Sequence, residues 1–211
     1  MNINTFLENI KLDYNSPVIL TYLIISLIAC IMNSITKGKT NKLFFSNYRS
    51  SPLSLLTYIR LFTHSIGHKD YSHFMHNFLF ILLIGPMIEE KYGSIPLIIM
   101  LLITSLFISL FNIIFNNYRI TGASGNVYML IVLSSFSNIT EGKIPVTLIL
   151  ILVFYILSEV KNSIIEGNKS IYHDGHLIGA LCGILFGFIL LYYPNIVNIL
   201  INNTHNKIYL Q

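Results

Sequence analysis

Residues 95–111 read IPLIIMLLITSLFISLF, a run of seventeen residues without a charge. The run lacks the strict alternation of apolar and polar residues that a membrane-spanning β-strand shows. A helix of about 20 residues crosses a hydrocarbon core of roughly 30 Å, and lipid permits only helices and closed barrels to span it. The run therefore predicts a transmembrane helix in an all-α membrane protein.

The rest of the chain has the same character. Apolar residues make up 54% of the 211 residues and charged residues only 10%, against about 25% charged in typical globular chains. We predict six transmembrane helices from the uncharged stretches 14–36, 71–88, 92–118, 120–140, 144–158 and 175–206. The division predicted is a short N-terminal tail (1–16), a six-helix membrane domain (17–194) and a short C-terminal tail (195–211). The long first loop, 37–70, is expected to hold short helices partly embedded in the membrane.

The charge pattern argues against a nucleic-acid partner, and the positions of the cysteines argue against disulfide bonds. The net charge is +4, and no basic stripe with interleaved aromatics occurs, so nucleic acid is not an expected partner. Cys30 and Cys182 both lie inside apolar runs, which excludes a disulfide framework. The lipid bilayer is the partner that the composition predicts.

Unusual polar residues converge on one face of the predicted bundle. The second, fourth and sixth helices run in the same direction, so their N-terminal ends share a membrane face. Those ends read HKDYSHFMHN (68–77), GASGNVY (122–128) and HDGHLIG (173–179). Polar groups at membrane depth are costly and are functional candidates by default. We therefore predict a site at this face.

Ser124 lies in the first turn of the predicted fourth helix, within Gly122-Ala-Ser-Gly125. A helix N-terminus offers free amide donors and the positive end of the dipole, which suit a developing oxyanion. From position 124 to position 138 the helix rises only about 22 Å, so Ser124 is expected below the membrane surface, in a cavity that admits water. The alternative interpretation is a loop–helix junction built from small residues.

His176 lies one turn before a stripe of small residues at four-residue spacing, Gly179, Gly183 and Gly187. Such spacing lets another helix approach closely, and the helix with Ser124 and Gly125 is the expected neighbour. A histidine side chain can act as a base near neutral pH, and a serine hydroxyl requires such a base to become a nucleophile. No acidic residue lies within a span, and Asp174 is expected on a different side of its helix. The pattern predicts a Ser–His dyad whose imidazole packs on Tyr128, although a plain packing stripe remains the alternative.

The second helix supplies His73 and Asn77, four residues apart and therefore on one helix face, with His64, His68 and His76 nearby. Uncharged donors aimed at a developing negative oxygen are what acyl transfer requires. Histidines at such spacings also serve as metal ligands. No HExxH sequence occurs and no acidic ligand faces the cluster from a span, so we predict no metal and no cofactor.

These motifs together resemble the rhomboid family of intramembrane serine proteases. The resemblance covers most of the chain after Leu53. It rests on RLFTH (60–64) followed by His68, His73 and Asn77, on GPMIEEKYG (85–93), on GASG (122–125) with Tyr128, and on His176 with Gly179 and Gly183. One departure is Ile59, where the family often has a tryptophan before the arginine.

The resemblance implies an enzyme in which Ser124 is the nucleophile and His176 the general base and acid. It implies oxyanion donors from His73, Asn77 and the Ser124 amide, with Gly122 supporting the site. The implied substrates are transmembrane segments of other membrane proteins, and the fifth helix with the loop after it would gate access.

The resemblance also implies a multi-pass protein with a cytoplasmic N-terminus and a non-cytoplasmic active site. Under that topology, four Lys and Arg residues lie on the cytoplasmic side and nine on the other side. The positive-inside rule, read literally, predicts the opposite orientation of the protein. We keep the family orientation, because six of the nine lie in the long first loop. The alternative functions are a catalytically inactive rhomboid-like protein that binds membrane clients and a histidine-based metal transporter.

Overall fold

The computed structural model describes residues 13–116, 118–136 and 173–193, and the single positions 146, 149, 150, 153 and 157. Over these residues the fold is all-helical, and four helices are long and apolar enough to span a membrane. The helices are, in chain order, α1 (Pro17–Ile35), α2 (Lys39–Phe44), α3 (Leu55–Thr63), α4 (Tyr71–Tyr92), α5 (Ser94–Phe115), α6 (Ser124–Phe136) and α7 (His173–Tyr192). The candidate spans are α1, α4, α5 and α7. Helix α6 is apolar but only 13 residues long.

Five of the six predicted spans overlap a described helix. The predicted fifth span, 144–158, lies outside the described residues apart from the five single positions, which are helical and exposed. The count of six helices therefore stays a prediction. The division into tails and membrane domain stays one as well.

The end of α4 differs from the prediction. The charges of Glu89, Glu90 and Lys91 predict a helix that ends at position 88, yet α4 continues to Tyr92. Only Gly93, at φ +88°, separates it from α5, and a glycine adopts that conformation without steric cost. A charged residue predicts the end of a membrane helix only if its side chain must be exposed to solvent. Glu89 is 4% exposed, so its charge does not end the helix.

Glu89 is buried because it caps another helix. Its carboxylate accepts the N–H groups of Val18 and Ile19 at 3.0 and 3.1 Å, and the Ser94 hydroxyl donates to it at 2.7 Å. The first amides of α1 have no acceptor within the helix, and a negative charge is favourable there. One carboxylate thus ties the start of α1 to the junction of α4 and α5.

The first loop contains α2 and α3 and is organised around a buried arginine. Arg60 is 4% exposed. It donates to the Leu43 carbonyl at 3.2 Å, to the Tyr48 hydroxyl at 3.1 Å and to the Ser50 hydroxyl at 2.6 Å. Its guanidinium also lies 4.4 Å from the centre of the Tyr48 ring. The embedding of this loop in the membrane stays a prediction.

Helix α6 lies at the centre of the bundle, where most of its residues are buried. It carries an internal polar contact, since the Asn126 side-chain N–H groups donate to the Tyr22 hydroxyl of α1 at 3.4 Å and the Ser105 hydroxyl of α5 at 3.3 Å. Both hydroxyls donate their own protons to backbone carbonyls, those of Ser65 and Leu101. The start of α6 is therefore fixed against two spans by directed hydrogen bonds.

Candidate active site

Ser124 is the first residue of α6 and is half-buried. The chain enters the helix through Gly122, whose φ of +128° favours glycine. The Gly122 N–H donates to the His64 carbonyl at 2.9 Å, which anchors the turn to the first loop. The first amides of a helix have no acceptor within it, so α6 presents N–H groups beside the Ser124 hydroxyl.

Helices α6 and α7 pack at contact distance along glycines. A Cβ added to Gly179 would collide with the carbonyl oxygen of Gly125, and one added to Gly183 would lie 2.6 Å from the Met129 carbonyl oxygen. No side chain fits at either position, because backbone already occupies the space. The glycine stripe therefore brings the first turn of α7 beside the first turn of α6.

This packing brings His176 onto Tyr128. The two rings are stacked, with centroids 4.3 Å apart and planes 24° from parallel. Tyr128 lies four residues after Ser124 and so on the same helix face. The stacked ring restricts the orientation of the imidazole on the face of α6 that carries Ser124 one turn earlier.

His73 and Asn77 of α4 meet α6 at Gly122. A Cβ on Gly122 would lie 2.6 Å from His73 Cε1, 2.9 Å from His73 Nε2 and 3.7 Å from Asn77 Nδ2. The first turn of α4 is capped by Asp70, which accepts the His73 N–H at 2.8 Å. Asn77 Nδ2 is buried and has no hydrogen-bond partner among the residues that the structure describes. A buried unpaired donor is costly, and an oxygen that arrives at this position during a reaction would satisfy it.

Two other histidines are core residues. His68 is fully buried, with Nδ1 3.1 Å from the Ile66 carbonyl oxygen and its ring 5.2 Å from that of His73. His64 is 2% exposed, with Nδ1 3.1 Å from the Ser109 hydroxyl. Burial lowers the pKa of both His64 and His68 to about 4, so both are neutral at pH 7. His76 is exposed and bonds within its own helix, to the Ser72 carbonyl.

A small cavity of about 40 Å³ adjoins Ser124. Its wall includes the starts of α6 and α7, the end of α5 and His64. Asp174 lines it, and the Asp174 carboxylate accepts a hydrogen bond from Asn116 Nδ2 at 2.8 Å. A polar cavity of this size has room for water.

The residues predicted for the site lie at the starts of three helices. Ser124, Gly125 and Tyr128 belong to the beginning of α6, and Gly122 lies in the loop just before it. His73 and Asn77 belong to the first two turns of α4, and His176, Gly179 and Gly183 to the first three turns of α7. Two further residues line the cavity that adjoins Ser124. Sequence reasoning set Asp174 aside because it lies on a different side of its helix from His176, and it did not single out Asn116, since their pairing joins positions 58 residues apart. Among the described residues, no three His, Cys, Asp or Glu side chains are grouped to hold a metal ion.

The family model of the rhomboid domain matches residues 56–193, from α3 to the end of α7. No curated protein matches the chain.

Proposed function

Because the chain belongs to the rhomboid family, we propose that it is an intramembrane serine endopeptidase that cleaves transmembrane segments of other proteins. The observation that carries the proposal is the stacking of His176 on Tyr128, one helical turn from Ser124. It supports a base held by packing, as a Ser–His dyad without an acidic third member requires.

In the proposed mechanism, Ser124 Oγ attacks the scissile carbonyl carbon and its proton passes to His176. The carbon–nitrogen bond breaks as His176 returns the proton to the leaving amine. The acyl group then remains on Ser124 until water, deprotonated by His176, attacks the carbonyl carbon. The bond to Ser124 Oγ breaks, and His176 returns the proton to Oγ. Both half-reactions need the same two groups, because Ser124 carries the acyl group from one to the other and His176 acts first as base and then as acid in each.

The negative oxygen of the tetrahedral intermediate requires donors that are already in place. The unpaired Asn77 Nδ2, the neighbouring His73 ring and the free amides at the start of α6 support this assignment. Gly122 supports it too, since any side chain there would fill the space before His73.

Two other functions compete with this proposal. A catalytically inactive rhomboid-like protein would bind transmembrane clients without cutting them, yet this chain has both Ser124 and His176. A metal transporter would need ligands grouped in its spans, and no described cluster favours it.

Cleavage by the purified protein tests the proposal. We expect protein reconstituted in liposomes to cut a co-reconstituted transmembrane substrate into two fragments, with no effect of a metal chelator. Stable binding of the substrate without cleavage would favour the catalytically inactive, client-binding function. Inhibition by the chelator would indicate that a metal ion takes part in the reaction.

Asn77→Ala is expected to lower kcat by about 10²–10³ with little change in KM, because removing one oxyanion donor weakens the transition state alone. His73→Ala should give a partial loss of the same kind. His76→Ala is the matched control on α4, since His76 is exposed and bonds to its own helix. Wild-type kinetics in Asn77→Ala would remove Asn77 from the site.

The proposed orientation places the active site on the non-cytoplasmic side. Single cysteines replace Lys39 and Lys91, which are exposed near opposite ends of the bundle, in a background without Cys30 and Cys182. In intact cells, we expect an impermeant maleimide to label Lys39→Cys and not Lys91→Cys. The reverse pattern would show that the protein is inverted, as the count of basic residues alone suggests.

A further inference from the structure

A groove opens between the end of α1 and the start of α4, at the membrane face where α6 and α7 also begin. Its volume is about 520 Å³, and it is lined by residues within positions 30–38 and by residues 69–71. We call it the basic groove. None of the residues assigned to catalysis lines it, so it is a separate feature of this face.

The basic groove extends from the level of the lipid headgroups into the hydrocarbon region. Helix α1 has 19 residues and rises about 28 Å, which matches a hydrocarbon core of roughly 30 Å. Ile35, its last residue, therefore lies near the boundary, with Cys30 roughly 7 Å deeper and Lys37 among the headgroups. Tyr71 is 64% exposed, at the level that aromatic side chains favour. An occupant of the groove meets water at one end and acyl chains at the other.

Lysines supply the charge at the headgroup end. Lys37 and Lys69 line the groove from its two sides, and Lys39 and Lys42 follow on α2. All four are exposed, and within the described part of the chain none of their ammonium groups has a hydrogen-bond acceptor or an ion-pair partner. Asp70 is the one acidic residue between positions 30 and 80. The groove therefore carries a net positive charge.

Backbone contacts fix the two lysines at the same mouth. Lys37 has a φ of +52°, in a turn that the Gly38 N–H closes by donating to the Asn33 carbonyl at 2.9 Å. The Asn33 side-chain amide donates to the Lys69 carbonyl at 3.3 Å, which ties this turn to the segment before α4. Neither hydrogen bond uses a lysine side chain. Replacing the two ammonium groups therefore leaves the turn and its anchor in place.

Asp70 adds an acceptor beside the lysines. Its Oδ1 accepts the His73 N–H at 2.8 Å, at the positive end of the α4 dipole. A carboxylate has acceptor sites left after one such bond. The hydroxyl groups of a phosphoglycerol headgroup can donate to these sites while the phosphate lies between the lysines.

We propose that the basic groove binds an anionic phospholipid of the surrounding bilayer, with its phosphate between Lys37 and Lys69 and an acyl chain along Ile31 and Ile35. Lysine ammonium groups pair with phosphate oxygens through charge-assisted hydrogen bonds. Both isoleucines are exposed, at 51% and 75%, and belong to the groove wall. At about 10–15 Å³ for one water-sized atom, the groove has space for on the order of 40 atoms, enough for a headgroup and part of the chains. The proposal does not rest on protease activity.

Native mass spectrometry of the full chain, released from detergent micelles titrated with phosphatidylglycerol, tests the proposal. We expect the wild type to retain one phosphatidylglycerol molecule more tightly than phosphatidylethanolamine or phosphatidylcholine with the same acyl chains. Lys37→Gln combined with Lys69→Gln should weaken phosphatidylglycerol binding about thirtyfold, which corresponds to two lysines at about 1 kcal/mol each. Added salt should weaken the wild-type binding as well.

Lys39→Gln combined with Lys42→Gln is the matched control, because it removes the same charge from the same loop outside the groove wall. Its effect on the affinity should be much smaller. Equal losses in the two double variants would overturn the proposal, since the general charge of the loop would then hold the lipid. Equal affinities for the three lipids would overturn it too.

Two further measurements keep the result specific to a lipid and to a folded protein. Inorganic phosphate at the same concentration should neither displace the lipid nor raise the Tm of the wild type. Displacement by phosphate would overturn the proposal in favour of a site for free anions. Without added lipid, both double variants should keep the wild-type Tm, because the changed side chains are exposed.

Discussion

Ser124→Ala is expected to abolish cleavage of a transmembrane substrate while the protein stays folded, and His176→Ala should do the same. The nucleophile and its base act as a unit, so the loss of either one removes nearly all of the acceleration that the pair supplies. The measurement is the cleavage rate in liposomes, with the thermal unfolding temperature as the check on folding.

Each variant has a control of the same chemical type. Ser134→Ala changes a serine of the same helix whose hydroxyl bonds to the Ile131 carbonyl. His76→Ala changes an exposed histidine of α4. Both controls should keep wild-type rates. Substantial cleavage by purified Ser124→Ala would remove Ser124 as the nucleophile.

Gly179→Ala should destabilise the bundle, because the new Cβ would overlap the Gly125 backbone and force α6 and α7 apart. Overpacking of this kind costs about 1–3 kcal/mol, which corresponds to a fall in Tm of about 2–12 °C for a chain of this size. Activity should fall as well, since the same contact holds His176 beside the start of α6. Differential scanning fluorimetry in detergent measures the Tm.

Gly175→Ala is the control that separates the effect of the overlap with α6 from the effect of replacing a glycine of α7 in general. It makes the same substitution on the same helix, but within the described part of the chain the added Cβ meets only the Ile108 side chain, at 3.7 Å, an ordinary contact. We expect its Tm to stay within about 2 °C of the wild-type value. An unchanged Tm in Gly179→Ala would refute the close contact between α6 and α7.

The parts of the site that the sequence predicts are those set by helix direction and spacing. Alternating helix direction predicts one face for Ser124, His176 and His73, and four-residue spacing predicts a glycine contact at Gly179. These rules act within one helix or between neighbours in the chain, so one sequence is enough to apply them.

Features that depend on long-range pairing could not be predicted in this way. Glu89 looks like the polar end of a helix, yet it is buried because it caps α1, 70 residues earlier in the chain. Asp174 belongs to the HDGHLIG stretch, yet helix spacing predicts only that it lies on a different side of α7 from His176. Its position at the cavity that adjoins Ser124 follows from how α5 and α7 meet. The first-loop histidines resemble ligands in sequence, whereas burial makes His64 and His68 neutral core residues.

The most direct test of the central claim is covalent labelling of the nucleophile. Purified protein treated with a fluorophosphonate should gain one adduct, which peptide mass spectrometry assigns to Ser124. The adduct should be absent from His176→Ala, because serine is not activated without its base. Labelling of another residue, or no adduct on a wild-type protein that still binds transmembrane substrates, would contradict the assignment of Ser124 and His176 as a catalytic dyad.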